Sequence, residues 1–301
     1  MKYIVYGASL FSNGCLTQQS LLISDNKVCY KKDTMDNYSF MKLDAKGFLL
    51  TPGYLCFVQQ EKEAGSFTAL KKECKRLIAK GVTSFITVVE AKSQHELLPS
   101  IKLCRQQLLN SPIDYYLAVK IPLKVLTPGL IQICKKAGIT MLILDYSTPE
   151  ELQSIAWSWI RGVLHNQPLT LISAPKGQSG FSFFKKRDKF AELMKRYGFS
   201  HFSQPFSPGV PLTREDLGIL GIYPHKGDIR VGGSVDYNLY LMDKLSYTVD
   251  ENPVLDYDSY IPDCVIHKGK VLKAGNVYYI HPGFGEECKM ALSGSFLPYP
   301  V

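Results

Sequence analysis

Hydrophobic and polar positions divide the chain into three stretches with different periods. Over residues 1–48 the apolar positions come in short, β-branched and aromatic runs split by polar turns. Residues 3–11 predict a strand. Leu21-Leu22-Ile23 and Val28-Cys29-Tyr30 flank Ser24-Asp25-Asn26-Lys27, the signature of a hairpin. Residues 40–43 predict a further strand. At 47–65 the pattern becomes a buried strand with a Pro52-Gly53 break near its start, ending in polar residues. From 66 onward the period alternates. Leu70, Leu77 and Ile78 recur at helical spacing over 66–80, and a strand follows at 84–89. A helix is expected near 93–109, a strand at 115–121, and a helix at 128–137 opened by Thr127-Pro128 and stopped by Gly138. The next strand, 139–144, runs into Asp145. Ser147-Thr148-Pro149-Glu150-Glu151 then starts another helix, before a fifth strand at 169–173.

Strands alternating with helices at this spacing imply parallel βα units joined by right-handed crossovers. The natural architecture is a (β/α) barrel or a fragment of one. From 50 to 224 there are only 175 residues, whereas complete eight-fold barrels rarely run below about 200. Residues 174–224 are also too rich in Gly, Pro, Ser and Phe for three more units. Five or six units and an irregular closure are expected.

The central stretch carries a resemblance. Pro52, Gly53, Tyr54, Leu55, Glu63 and Gly65 fit the first barrel strand of the amidohydrolase superfamily, in its dihydroorotase and dihydropyrimidinase (hydantoinase) branch. There the pattern reads G-hydrophobic-hydrophobic-x-P-G-F-I-D-x-H-x-H-L-R-E-P-G. Ala79-Lys80-Gly81-Val82-Thr83-Ser84 resembles the family's A-x-G-V-T-T. Residues 221–236, Gly-Ile-Tyr-Pro-His-Lys-Gly-Asp-Ile-Arg-Val-Gly-Gly-Ser-Val-Asp, resemble G-L-Y-P-x-K-G-x-I-x-V-G-x-D-A-D. Ile266-His267-Lys268-Gly269-Lys270-Val271 resembles the last hairpin, I-x-x-G-K-V. The resemblance implies an α/β fold: a reduced or incomplete (β/α) TIM-like barrel plus a composite β domain formed by both termini. Residues 1–48 and 226–301 would build the β domain and residues 49–225 the barrel.

Members of that family bind one or two divalent metals that turn water into hydroxide and polarise the scissile carbonyl. The resemblance places their H-x-H ligands at Val58 and Gln60, and neither side chain replaces an imidazole there. The family's Asp is Cys56, and Lys62 stands where the family has a substrate-binding Arg. No lysine marks the fourth strand and no histidine ends the fifth; only His201 is a candidate to line the mouth. No metal and no cofactor is therefore expected. Strand-end residues remain as candidates: Lys120, Asp145 and Glu90 for catalysis, and Gln60, Lys62, Ser173 and Lys176 for ligand binding. Lys120 closes an apolar strand, where it would pair with Asp145 or serve as a poised amine. Cys56 lies in an apolar run and reads as a core residue. The resulting expectation is a non-catalytic homologue acting as scaffold, partner subunit or small-ligand binder. The alternative is a hydrolase with metal-independent or differently ligated chemistry on a cyclic amide.

Composition narrows the partners. Hydrophobic content of 46% and charged content of 21% are those of a globular protein, and the net charge of +8 is spread along the chain. Without a clustered basic face, nucleic acid is not an expected partner. The basic stretch over 181–196 carries Phe184, Phe190, Leu193 and Met194 on one side and reads as a docked helix with a solvated Lys/Arg face. Eight cysteines include no C-x-x-C pair, no apolar run reaches the roughly 18 residues of a membrane span, and no secretory signal is present. A cytoplasmic protein with reduced cysteines is expected. Its partners would be a second copy, another protein or a small anionic ligand, and not a membrane.

Overall fold

The computed structural model describes residues 2–12, 15–58, 67–164, 167–176, 188–244 and 260–290. The chain opens with β1 (Lys2–Ser12), β2 (Cys15–Ser24) and β3 (Lys27–Lys32), an antiparallel meander. Asp25 and Asn26 turn it with φ of 53° and 60°, the paired left-handed values of a tight hairpin. β4 (Met41–Asp44) and β5 (Phe48–Pro52) then lie parallel to β1 along its other edge.

Gly53 ends that sheet and starts another. β5 and β6 (Tyr54–Val58) are adjacent in sequence, yet β5 pairs within the terminal sheet and β6 within the parallel one. A Cβ on Gly53 would collide with the Thr83 side chain, so the crossing point requires glycine. The expected division at 48/49 thus meets a strand, β5, that belongs to the terminal sheet.

The alternation then runs as its periodicity predicts: α1 (Phe67–Ala79), β7 (Val82–Glu90), α2 (Gln94–Leu108), β8 (Asp114–Pro122), α3 (Pro128–Ala137), β9 (Met141–Tyr146), α4 (Trp157–Leu164), β10 (Thr170–Pro175), α5 (Lys189–Tyr197) and β11 (Ser200–Phe202). Only the segment after Thr148 departs, making a 3₁₀ turn over Pro149–Ser154 before α4. α3 illustrates the local logic. Thr127 Oγ1 accepts from the Leu130 N–H at its start, and Gly138 stops it at φ 74°. Of the basic stretch over 181–196, residues 181–187 lie outside the described residues; the rest forms α5, with Phe190 and Met194 buried.

β6 to β11 form a curled, all-parallel, six-stranded half-barrel in the order β11-β10-β9-β8-β7-β6. Among the described residues no further βα unit follows β11. Instead the Gly209 N–H donates to Phe57 O at 2.9 Å and the Leu212 N–H to Leu55 O at 2.8 Å, so residues 208–212 run along the free edge of β6. α6 (Arg214–Ile219) comes next.

The chain then rejoins the first sheet. β12 (Tyr237–Leu241), β13 (Cys264–His267), β14 (Lys270–Ala274) and β15 (Val277–Tyr278) extend it through antiparallel pairing of β12 with β5. Strands from both ends of the chain therefore make one nine-stranded, largely antiparallel sheet. Residues 284–290 leave it for the barrel. There the Tyr115 N–H donates to Glu286 O, the Cys288 N–H donates to Tyr115 O, and Arg105 grips Glu287 with two bonds of 2.7 and 2.6 Å.

Alternate positions on the parallel strands serve two cores. One row, with Cys56, Val58, Phe85, Val119, Leu142, Leu144 and Leu171, packs against the helices. The other, with Leu55, Phe57, Ile86, Tyr116, Ala118, Ile143 and Ile172, faces the barrel interior. Among the described residues no helix is long and apolar enough to cross a membrane.

Candidate functional site

Strand parity decides which candidates reach the barrel mouth. Glu90, Lys120, Asp145 and Lys176 continue the interior-facing rows of β7, β8, β9 and β10 past their apolar parts. They pair as neighbours across strands: Lys120 Nζ lies 3.6 Å from Glu90 Oε1, and Lys176 Nζ lies 3.4 Å from Asp145 Oδ2. The expected Lys120–Asp145 pair is not the one formed. The β8–β9 register sets Pro122, not Lys120, beside Asp145, while Glu90 and Lys120 are directly opposed. The Lys120 side chain is 36% exposed, so it lacks the desolvated pocket a reactive amine requires.

Ser173 belongs to the opposite row. It shares a 2.6 Å hydrogen bond with the Tyr146 hydroxyl inside the helix-facing core, so it does not reach the mouth. Val58 likewise packs with Cys74, Leu77 and Ile78 of α1. His201 sits one position from the interior-facing Phe202; its Nδ1 lies 3.1 Å from Phe199 O and its ring meets Phe190 of α5 edge-on. Cys56 is fully buried, and burial pushes its thiol up to about 12; this is an inert core thiol. Gln60 and Lys62 lie outside the described residues.

Below the mouth the interior is filled. Leu55, Phe57, Ile86, Tyr116, Met141, Ile143 and Ile172 meet Leu217, Leu220 and Ile222 from the α6 region, with Phe202, Phe206, Leu212 and Met290 packed against them. The Phe202 and Phe206 rings are in edge contact at 4.6 Å. Among the described residues no group of three or more His, Cys, Asp and Glu is placed to hold a metal ion. Val58, one of the two positions where the sequence resemblance places a metal ligand, is turned into the helix layer and offers no ligand atom; the other, Gln60, is among the residues not described.

Among the described residues a dense charge cluster lies at the other end of the barrel. Asp114, at the start of β8, receives Lys226 Nζ at 2.8 Å, Lys268 Nζ at 2.7 Å and the Glu286 N–H at 2.9 Å. Asp236, just before β12, receives the same Lys226 Nζ at 2.5 Å, the Lys268 N–H at 2.7 Å and Ser234 Oγ at 2.9 Å. His267 bridges the two, with Nδ1 2.9 Å from Asp236 and Nε2 3.4 Å from Asp114. Asp114, Lys226, Asp236 and His267 are all buried. Burial opposes both carboxylate charges, but the hydrogen bonds from His267 and the charge of Lys226 outweigh it and hold both acids well below their usual range. Burial also works against the His267 cation, and the two acids more than compensate, raising it. The arrangement is a fastener between barrel and sheet. Lys226 and Asp236 stand inside the 221–236 motif, but only the fold reveals that each is the other's partner. A lone acid opening the apolar run 115–121 and a histidine closing Val265-Ile266 were the available signals for Asp114 and His267.

With this geometry in hand, solved structures provide comparison. The fold resembles that of hydantoinases. A D-hydantoinase aligns over 97% of this chain and 99% of its own, with a TM-score of 0.59 and 13% identity. The dihydropyrimidinase from Brevibacillus agri NCHU1002 aligns over 97% and 99%, at 0.53 and 13%. A beta-aspartyl dipeptidase from Fervidobacterium islandicum AW-1, solved with a beta-Asp-Leu dipeptide, aligns over 93% and 98%, at 0.53 and 13%. No protein-family model matches the sequence, and no curated protein matches it. The chain thus shares its fold with these hydantoinases and this dipeptidase.

Proposed function

We propose that the chain is a non-catalytic homologue of the hydantoinase-like enzymes, lacking their metal centre and serving as a scaffold or partner subunit. The observation that supports this reading is at the barrel mouth, where the interior-facing charges satisfy one another above an apolar core that includes Phe57, Phe202, Phe206 and Leu217. In an active barrel, polar groups from several strand ends converge on the mouth. Here the strand ends carry two exposed ion pairs, Glu90–Lys120 and Asp145–Lys176, each neutral as a unit. An activated nucleophile and a stabilised oxyanion are each worth several kcal/mol of barrier, and the described strand ends provide no arrangement for either. The test is direct. Purified protein should hold far less than one equivalent of zinc, manganese or iron after dialysis. It should not hydrolyse hydantoin, dihydropyrimidines, dihydroorotate, allantoin or a β-aspartyl dipeptide, with or without added metal. Chelator-sensitive turnover by the unmodified chain would end this reading.

A second reading keeps chemistry or ligand binding at the mouth. It is supported by the interior-facing placement of Lys176, whose 61% exposed side chain meets Asp145 only at 3.4 Å, so that a small anion can compete with Asp145 for the ammonium. On that reading Lys176→Ala should abolish binding of a small dicarboxylate in calorimetry; equal heats for both proteins would dismiss it.

A further inference from the structure

The edge of the terminal sheet carries a feature that neither the barrel nor its fastener uses. Among the described residues β4 pairs with β1 alone, and all four of its residues are exposed. Four exposed large apolar side chains, Tyr38, Phe40, Met41 and Leu43, crowd into this short stretch, at 39%, 36%, 57% and 44%. Among the described residues this edge is free beyond Gly47, whose carbonyl accepts from the Met242 N–H, and a strand edge flanked by apolar side chains is a template for another strand.

The backbone and the charges together specify that strand. Leu43 is in register with Val5, and the Ala45 N–H donates to Tyr6 O. Positions 43 and 45 therefore turn their polar groups toward β1, and Lys42 and Asp44 turn theirs outward. Their side chains share one face of the sheet, while Met41 and Leu43 share the other. An antiparallel partner strand must bond to Lys42 and Asp44, which leaves few registers. Setting Lys42 opposite Lys42, or Asp44 opposite Asp44, opposes like charges. One register sets Lys42 opposite Asp44 and Asp44 opposite Lys42. Two copies of β4 related by a two-fold axis through Leu43 produce it, with the two leucines in contact on the apolar face. The edge is complementary to itself.

We propose that β4 is an isologous dimer interface, joining the terminal sheets of two copies through antiparallel β4–β4 pairing in the Lys42–Asp44 register. Such self-complementarity closes at two chains rather than propagating. Both charged positions are exposed and lie outside the barrel, its mouth and the buried ionic cluster; their own contacts are local, Lys42 Nζ with Asp36 O at 3.2 Å and over the Tyr6 ring, and Asp44 Oδ1 with the Lys46 N–H at 3.1 Å, so each variant is first checked for an unchanged melting temperature.

The test is a charge swap read by sedimentation velocity across a concentration series. The unmodified chain should dimerise. Lys42→Asp alone and Asp44→Lys alone should each weaken the homodimer about tenfold or more, because every cross-strand pair becomes like-charged. An equimolar mixture of these two variants should dimerise again, since one supplies two acids and the other two lysines. The double variant, K42D with D44K, should match the unmodified chain. A monomeric unmodified chain, single variants that dimerise normally, or a mixture that stays monomeric would each overturn the proposal.

Discussion

Replacing Lys226 with methionine isolates the fastener between barrel and sheet. The ammonium is 8% exposed and serves two buried carboxylates at 2.8 and 2.5 Å. Methionine fills similar space but leaves Asp114 and Asp236 with only His267 and Lys268 as cationic partners. Removing one member of a buried ionic group costs about 3–5 kcal/mol, because the charge left behind stays desolvated. For a chain of this size that corresponds to a melting temperature lower by roughly 5–8 °C, followed by circular dichroism. The pH dependence sharpens the test. Both acids are held below their usual range in the folded protein. Their contribution is therefore fully present above about pH 4 and is lost as pH falls through the depressed folded values. His267 is raised; its contribution is complete below about pH 6.5 and is lost as pH rises through the folded value. The fastener should be strongest between these limits. Without Lys226 the acids recover toward ordinary behaviour, so acid unfolding should begin at higher pH. Asp236→Asn added to the variant should recover part of the loss. A folded variant whose melting temperature falls by less than about 2 °C, or whose acid limb does not move, would refute the argument.

The remaining expectations concern the barrel. Asp145→Asn should change stability by less than about 1 kcal/mol in denaturant titration, because Lys176 opposite it is 61% exposed. Phe57→Ala, in the packed interior, should cost about 3–4 kcal/mol in the same measurement. Val58→His should not create a zinc site in calorimetry, because position 58 faces α1; it should lower stability by placing an imidazole in that core.

Much of the architecture could be read from local signals. Asp25-Asn26 announced a tight hairpin, Thr127-Pro128 and Gly138 bracketed α3, and the alternating periods located five parallel strands, because each of these is decided within a few residues. The site was less legible. Ser173 lies in β10 and Lys176 one residue past its end, and only the strand's true span decides that the serine turns to Tyr146 in the helix-facing core while the lysine reaches the mouth. The closure along β6 by residues 208–212 uses backbone groups, which leave no compositional trace. The pairing of Asp114 with Lys226 spans more than a hundred positions and depends on how the barrel meets the sheet, which no local pattern records. Gly53 looked like a kink within one strand, when its lack of a side chain lets the chain pass from one sheet to the other.

The placement of β5 between β1 and β12 has a consequence for how the protein is made. Thr51 lies beside Asn238 in the finished sheet, so the first strands to leave the ribosome wait for partners synthesised almost two hundred residues later. At ordinary elongation rates that delay is on the order of ten seconds or more, far longer than a hairpin needs to form. The half-barrel emerges whole during that interval and can assemble first, while β1 to β5 remain a partly formed ribbon with one edge unclaimed. Completion of the terminal sheet is then a late, long-range step that also engages the Lys226 fastener. A nascent chain halted before β12 should be the form that chaperones recognise.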